Sequence, residues 1–106
     1  MPKFMRLIVF FDLPVLSAEE RRIATRFRNF LINDGYYMLQ FSVYVRLCGG
    51  VDSIDDALKR LTSAAPNTGS IRCMAVTEKQ YARMRIIVGD KKKREKPIDF
   101  YQISFL

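Results

Sequence analysis

Histidine and tryptophan are absent from this 106-residue chain, and cysteine occurs only twice. Without an imidazole there is no Ser-His-Asp or Cys-His catalysis, no His-ligated zinc and no imidazole acid–base step. Cys48 and Cys73 lie 25 positions apart, in or beside apolar, strand-like segments, and lack the spacing of a metal knuckle. Both read as small core hydrophobes in a reducing compartment. No phosphate-cradling glycine loop is present, and there is no internal repeat or linker-like segment. No apolar run approaches membrane-spanning length. The start, Met1-Pro2-Lys3-Phe4-Met5-Arg6, has neither the apolar run nor the cleavage site of a secretory signal, so a cytoplasmic location is expected.

Acidic residues are also scarce. Eleven Asp and Glu face eighteen Lys and Arg, a net charge of +7, with the excess spread over both halves of the chain. The apolar content of 49% belongs to a packed protein, and the length suits one domain over residues 1–106. A small, folded, strongly basic domain points to a polyanionic partner, nucleic acid before an acidic membrane surface.

The chain is organised around Arg6-Leu7-Ile8-Val9-Phe10-Phe11-Asp12-Leu13-Pro14. Five consecutive apolar residues, mostly β-branched or aromatic, read as a strand buried on both faces. It stops on one carboxylate ahead of Pro14, which cannot continue a ladder. Ser17-Ala18-Glu19-Glu20 is a capping box, and Ile23, Phe27, Phe30 and Leu31 then recur at helical spacing up to Asn33-Asp34-Gly35. The helix's arginines are expected on two flanks of that stripe, Arg22 and Arg26 with Asn29 on one and Arg21 and Arg28 on the other. Tyr36 to Leu47 is strand-like, with Gln40 and Ser42 marking a bulge or a bend between two short strands. Gly49-Gly50 breaks the chain. A second helix is predicted from about Asp52, capped by Ser53 with Asp56, its acids at the start and Lys59 and Arg60 near the end.

Ser70 to Val76 is a third strand region, and Thr77 to Gln80 caps a short helix through Tyr81. Arg85-Ile86-Ile87-Val88 reads as a fourth strand. A basic loop over 90–97 and a last strand over 98–106 follow. This order predicts a ferredoxin-like α+β sandwich: an antiparallel sheet with two helices on one face and an extra C-terminal strand. Successive apolar residues in the strands ask for burial on the second face too, which predicts a homodimer packed sheet to sheet.

For chemistry, Asp12 has two readings. It caps the turn before the first helix, or it is a magnesium ligand that a face-to-face dimer duplicates near its axis. Magnesium takes one or two protein carboxylates and keeps several waters, and such an ion would orient a water against a phosphodiester. Arg21, Arg22, Arg26 and Arg28 form either a solvated face or a phosphate-binding one. Lys91, Lys92 and Lys93 divide in the same way between a plain loop and a phosphate contact. Tyr36, Tyr37, Phe41 and Tyr44 lack a base-stacking signature around them and are expected in core or interface packing.

Three segments carry a resemblance across nearly the whole chain: Phe10-Phe11-Asp12-Leu13-Pro14, Met38-Leu39-Gln40-Phe41-Ser42-Val43-Tyr44 and Ala75-Val76-Thr77-Glu78-Lys79-Gln80-Tyr81. Together they resemble the CRISPR-associated protein two family, in the form that accompanies type II systems. The resemblance implies a homodimer in which Asp12 and its twin hold Mg2+. It also implies a subunit that bridges dimers of the CRISPR integrase during insertion of spacer DNA, with metal-dependent endoribonuclease activity and, in some members, action on double-stranded DNA. The family's final strand pairs with the other protomer's sheet and helps form the integrase interface, which assigns partner-binding to Ile98, Phe100, Tyr101, Ile103 and Phe105. The competing reading from residues alone is a ferredoxin-like interaction or toxin-related module with no nucleic-acid role.

Overall fold

The structure of the protein, a computed structural model, describes residues 3–89. The expected basic loop (Lys91, Lys92, Lys93) and terminal strand (Ile98, Phe100, Tyr101, Ile103, Phe105) lie outside the described residues.

The elements run β1 (Met5–Asp12), α1 (Ala18–Asn33), β2 (Tyr37–Gln40), β3 (Val43–Cys48), α2 (Val51–Ala64), β4 (Ser70–Thr77) and α3 (Glu78–Ala82). The four strands form one sheet in the order β2-β3-β1-β4, and every neighbouring pair is antiparallel. This is the ferredoxin-like arrangement that the element order implied.

Alternation along β1 sorts its side chains between two faces. Leu7, Val9 and Phe11 are buried on the first, together with Ala24, Phe27 and Leu31 of α1 and Ile54, Ala57 and Leu61 of α2. Phe11 meets the Phe27 ring edge-on at 5.2 Å and lies 5.6 Å from the Tyr44 ring. Tyr36 is buried in the same layer, and burial first, then Asp34, pushes its phenol up to about 12.

The second face was expected to be bare in a single chain. Instead the protein covers one end of it with its own short helix. The Thr77–Gln80 capping box turns the chain as β4 ends and brings Tyr81 onto Ile8 and Val45. Beneath α3 lies Arg6, only 2% exposed. Its Nε donates to Glu78, its Nη1 donates to the Tyr37 hydroxyl at 2.7 Å, and its guanidinium lies 4.4 Å from the Tyr81 ring centroid. Tyr37 and Tyr81 are hydrogen-bonded to each other at 2.8 Å. Desolvation works against the Arg6 charge, but the Glu78 hydrogen bond and the two tyrosines outweigh it, and its pKa stands above the ordinary arginine value.

Four local expectations need correction. Arg85-Ile86-Ile87-Val88 forms no strand: Ile87 and Val88 are about nine-tenths exposed. Strand composition is not enough without a partner strand, and the chain leaves α3 through a turn that Arg83 and Met84 close on Gln80 and Tyr81. The second helix starts at Val51 with Gly50 as its N-cap and no side-chain cap, so Ser53 is not the cap. Gly50 supplies the turn through a φ of 120°, a conformation that favours glycine. The same helix runs on to Ala64, which leaves Lys59 and Arg60 short of its last turn. Cys48 is buried, but Cys73, on the outer strand β4, is exposed and is no core residue.

Elsewhere the local reading matches. Ser17 and Glu20 make the reciprocal capping box, with bonds of 2.8 and 3.0 Å. Tyr36–Leu47 resolves into two short strands joined at Phe41-Ser42, with a register shift between Met38 and Gln40. No helix among the described residues is long and apolar enough to cross a membrane.

Candidate functional site

Asp12 is the last residue of β1 and lies opposite Ser70 of β4. Because Phe11 points into the helix-covered core, alternation sends Asp12 to the other face, with Phe10, Arg72 and Met74 for company. These four residues are all exposed, Phe10 at 39% and Met74 at 52%. The Asp12 carboxylate has no hydrogen bond or ion pair among the described residues.

Its backbone is held tightly, however. Gly69 enters β4 at a φ of 79°, and a Cβ there would sit 2.5 Å from the Asp12 carbonyl oxygen and 2.8 Å from Leu13 Cδ2. Gly69→Ala is therefore expected to destabilise the fold by about 1–3 kcal/mol, the usual cost of a forced left-handed non-glycine residue, before the clash is counted. Urea unfolding at fixed protein concentration measures it. A stability loss below that range means the strand end yields and Asp12 is not rigidly placed.

As a metal site, one chain supplies one carboxylate. No group of three or more Asp, Glu, Cys or His side chains converges among the described residues. An exposed carboxylate with both oxygens available is a single candidate ligand of the kind that hard, largely hydrated cations take one or two of.

The arginines of α1 group as expected, with Arg22, Arg26 and Asn29 together and Arg28 apart from them, except that Arg21 also lines the groove of the first set. Arg21, Arg22 and Arg26 line one shallow groove on the outward side of the helix, with Ala18, Thr25 and Asn29. The stripe buried on the sheet side includes Ala24, Phe27 and Leu31, and at 100° per residue Arg22 and Arg26 fall opposite it, while Arg21 and Arg28 fall together on one flank. The four arginines also differ in what they already do. Arg21 donates to the Val15 and Leu16 carbonyls at 3.1 and 2.9 Å, clamping the loop that follows Asp12. Arg22 pairs with Glu19 at 2.6 Å, an exposed contact of little strength. Arg28 donates to Thr25 Oγ1 at 3.2 Å and is half-buried. Arg26 has no hydrogen bond or ion pair among the described residues and also borders a second groove with Pro66, Asn67 and Thr68.

One residue around the site had no signal in the sequence, and another was placed only in part. Gly69 was invisible because its reason is a contact with a strand 57 positions earlier. Of the residues expected in core or interface packing, Tyr36 and Tyr44 are core residues, and Phe41 is 89% exposed at the β2–β3 turn, which excludes the core reading for it.

Comparison with known proteins gives a consistent result. A family model described as CRISPR associated protein Cas2 matches residues 5–84. The chain is 49% identical to the "CRISPR-associated endoribonuclease Cas2" of Acidovorax ebreus over 94% of this chain and 98% of that protein. It is 42% identical to the protein of the same name from Campylobacter jejuni over 82% of this chain, a match that spans 61% of the longer relative. A third, from Ligilactobacillus salivarius, is 45% identical over 84% of this chain and 88% of that protein.

Proposed function

Since this chain belongs to the CRISPR-associated Cas2 family, we propose that it acts in CRISPR adaptation as a homodimer that holds nucleic acid through the phosphates and bridges integrase dimers during insertion of spacer DNA. The observation that carries the phosphate-binding part is the arginine groove on the outward side of α1. Arg22, paired with Glu19, and Arg26 stand there, and guanidinium forks match phosphate oxygens well. Double-stranded DNA is the partner in adaptation, with single-stranded RNA as the substrate that the relatives' name, endoribonuclease, suggests. Lys91, Lys92 and Lys93 would extend the basic surface, and Ile98, Phe100, Tyr101, Ile103 and Phe105 would form the strand offered to the integrase side.

Two copies of Asp12, brought together by packing of the open sheet faces, would hold one Mg2+. When bound, that ion supplies charge neutralisation at a phosphodiester and a more acidic water. The chain's own contribution is to fix Asp12 at a rigid strand end and to set phosphate-binding arginines on the helix that follows.

Binding of this kind depends on counterion release, with a slope near 0.9 log units of affinity per log unit of salt for each phosphate neutralised. Arg22→Ala with Arg26→Ala should lower the slope for a duplex by about 2 per protomer and leave sequence preference unchanged. Arg21→Ala should loosen the Asp12 loop more than it weakens binding, because its guanidinium already serves two backbone carbonyls. Titrations of a fluorescent duplex from low to moderate salt measure both. An unchanged slope in the double variant removes the α1 groove from the interface.

A further inference from the structure

Several large apolar residues are exposed along the described chain, among them Ile87 and Val88, and two of the most exposed adjoin the end of β1. Phe41, at 89%, and Leu16, at 91%, both belong to segments adjoining Asp12. Isolated exposed apolar side chains are common and need no explanation. Phe41 differs in how its backbone is held. The β2–β3 connection is only Phe41-Ser42, and Ser42 has a φ of 64°, the only positive φ of a non-glycine residue among the described residues. Such a conformation persists only when its surroundings impose it, and it concentrates where side chains must be aimed. Here the imposing contact is visible: the Phe11 amide donates to the Ser42 carbonyl at 3.0 Å. That bond ties the turn to β1 at the residue before Asp12. On the far side of Asp12, Arg21 pins the Val15 and Leu16 carbonyls. A solvent-facing phenyl ring is thus mounted on a short, strained, tethered turn beside the strand-end carboxylate.

We infer that Phe41 is a base-stacking residue: its ring supports an unpaired nucleobase of a single strand whose backbone runs past Asp12. This rests on the nucleic-acid reading above and deepens it by separating the functions of two surfaces. Arginines on α1 hold phosphate and accept a duplex. Phe41 favours strands whose bases are free to stack, with little regard to sequence, because every base has a π-face. The short tethered turn fixes the backbone that carries the ring, so binding need order only the side chain.

The test uses the full chain and a single-stranded RNA oligonucleotide carrying 2-aminopurine, whose fluorescence falls on stacking. The same strand annealed to its complement serves as the comparison. Phe41→Ala should weaken single-strand binding roughly ten- to a hundredfold, in line with measured base–aromatic stacking, and abolish the quenching. Duplex binding should change less than about twofold, since paired bases cannot reach the ring. Phe41→Tyr should restore both signals and Phe41→Leu neither.

Wild-type behaviour in Phe41→Leu would show that an apolar contact suffices and would overturn the inference. So would an equal loss of single-strand and duplex binding accompanied by a lower sedimenting mass, which would place Phe41 between copies of the chain. If the wild type binds duplex with a steep salt slope while Phe41→Ala binds the single strand normally, the stacking role alone fails. If wild type binds neither strand at low salt, the nucleic-acid reading fails with it.

Discussion

Replacing Arg6 with methionine should destabilise the protein by about 3–5 kcal/mol, the cost of leaving one member of a buried ion pair behind. Methionine fills much of the volume, so the loss is chiefly electrostatic. Arg6 is 2% exposed and Glu78 18%, which leaves little water to replace the missing partner. The Tyr37 hydroxyl loses a donor as well. Because Arg6 joins β1 to β2 through Tyr37 and to α3 through Glu78 and Tyr81, the damage should spread to the placement of α3. Adding Glu78→Gln to Arg6→Met should recover a substantial part of the stability, since the stranded carboxylate is then gone. Denaturant unfolding of the wild type, both single variants and the double variant, at one protomer concentration, gives the coupling directly. A purely additive cycle would mean that Arg6 acts through packing and not through its charge.

Asp12→Asn should have the opposite profile: no measurable effect on folding and a large effect on cleavage. The side chain is exposed and makes no hydrogen bond or ion pair among the described residues, so unfolding should shift by no more than about 0.5 kcal/mol. Metal-assisted cleavage of a single-stranded RNA should fall about a thousandfold, since an ion loosened by loss of both its carboxylates withdraws several kcal/mol of transition-state stabilisation. Duplex binding through Arg22 and Arg26 should be retained, because those residues lie on another element. Cleavage that survives in Asp12→Asn, or after chelation of divalent ions, would exclude Asp12 as the ligand.

The helices and strands were largely legible because their signals are local. The boxes Ser17–Glu20 and Thr77–Gln80 satisfy backbone donors within four residues, and the β1 run announces itself by composition. The open face was only half legible. Apolar residues at successive strand positions do ask for cover, but nothing local says that Tyr81 supplies part of it. Arg6 reads in sequence as one more positive charge at a strand start. Its partners stand 31 and 72 positions away, and only the fold brings them under α3. Arg85–Val88 went the other way: the segment has strand composition, but a strand requires a partner strand, and composition carries no information about that. At the site, Asp12 was marked by its position before Pro14, whereas Gly69 and the exposure of Phe41 depend on contacts made in three dimensions.

The dimer turns on pairing of the open sheet faces, where Phe10, Arg72 and Met74 share the exposed face with Asp12 in the single chain. Sedimentation velocity of the full chain at low micromolar concentration addresses it most directly. The account predicts one species of about twice the 12.4 kDa chain mass. A stable species of 12.4 kDa at that concentration would contradict it, and would remove the second carboxylate that a shared ion requires.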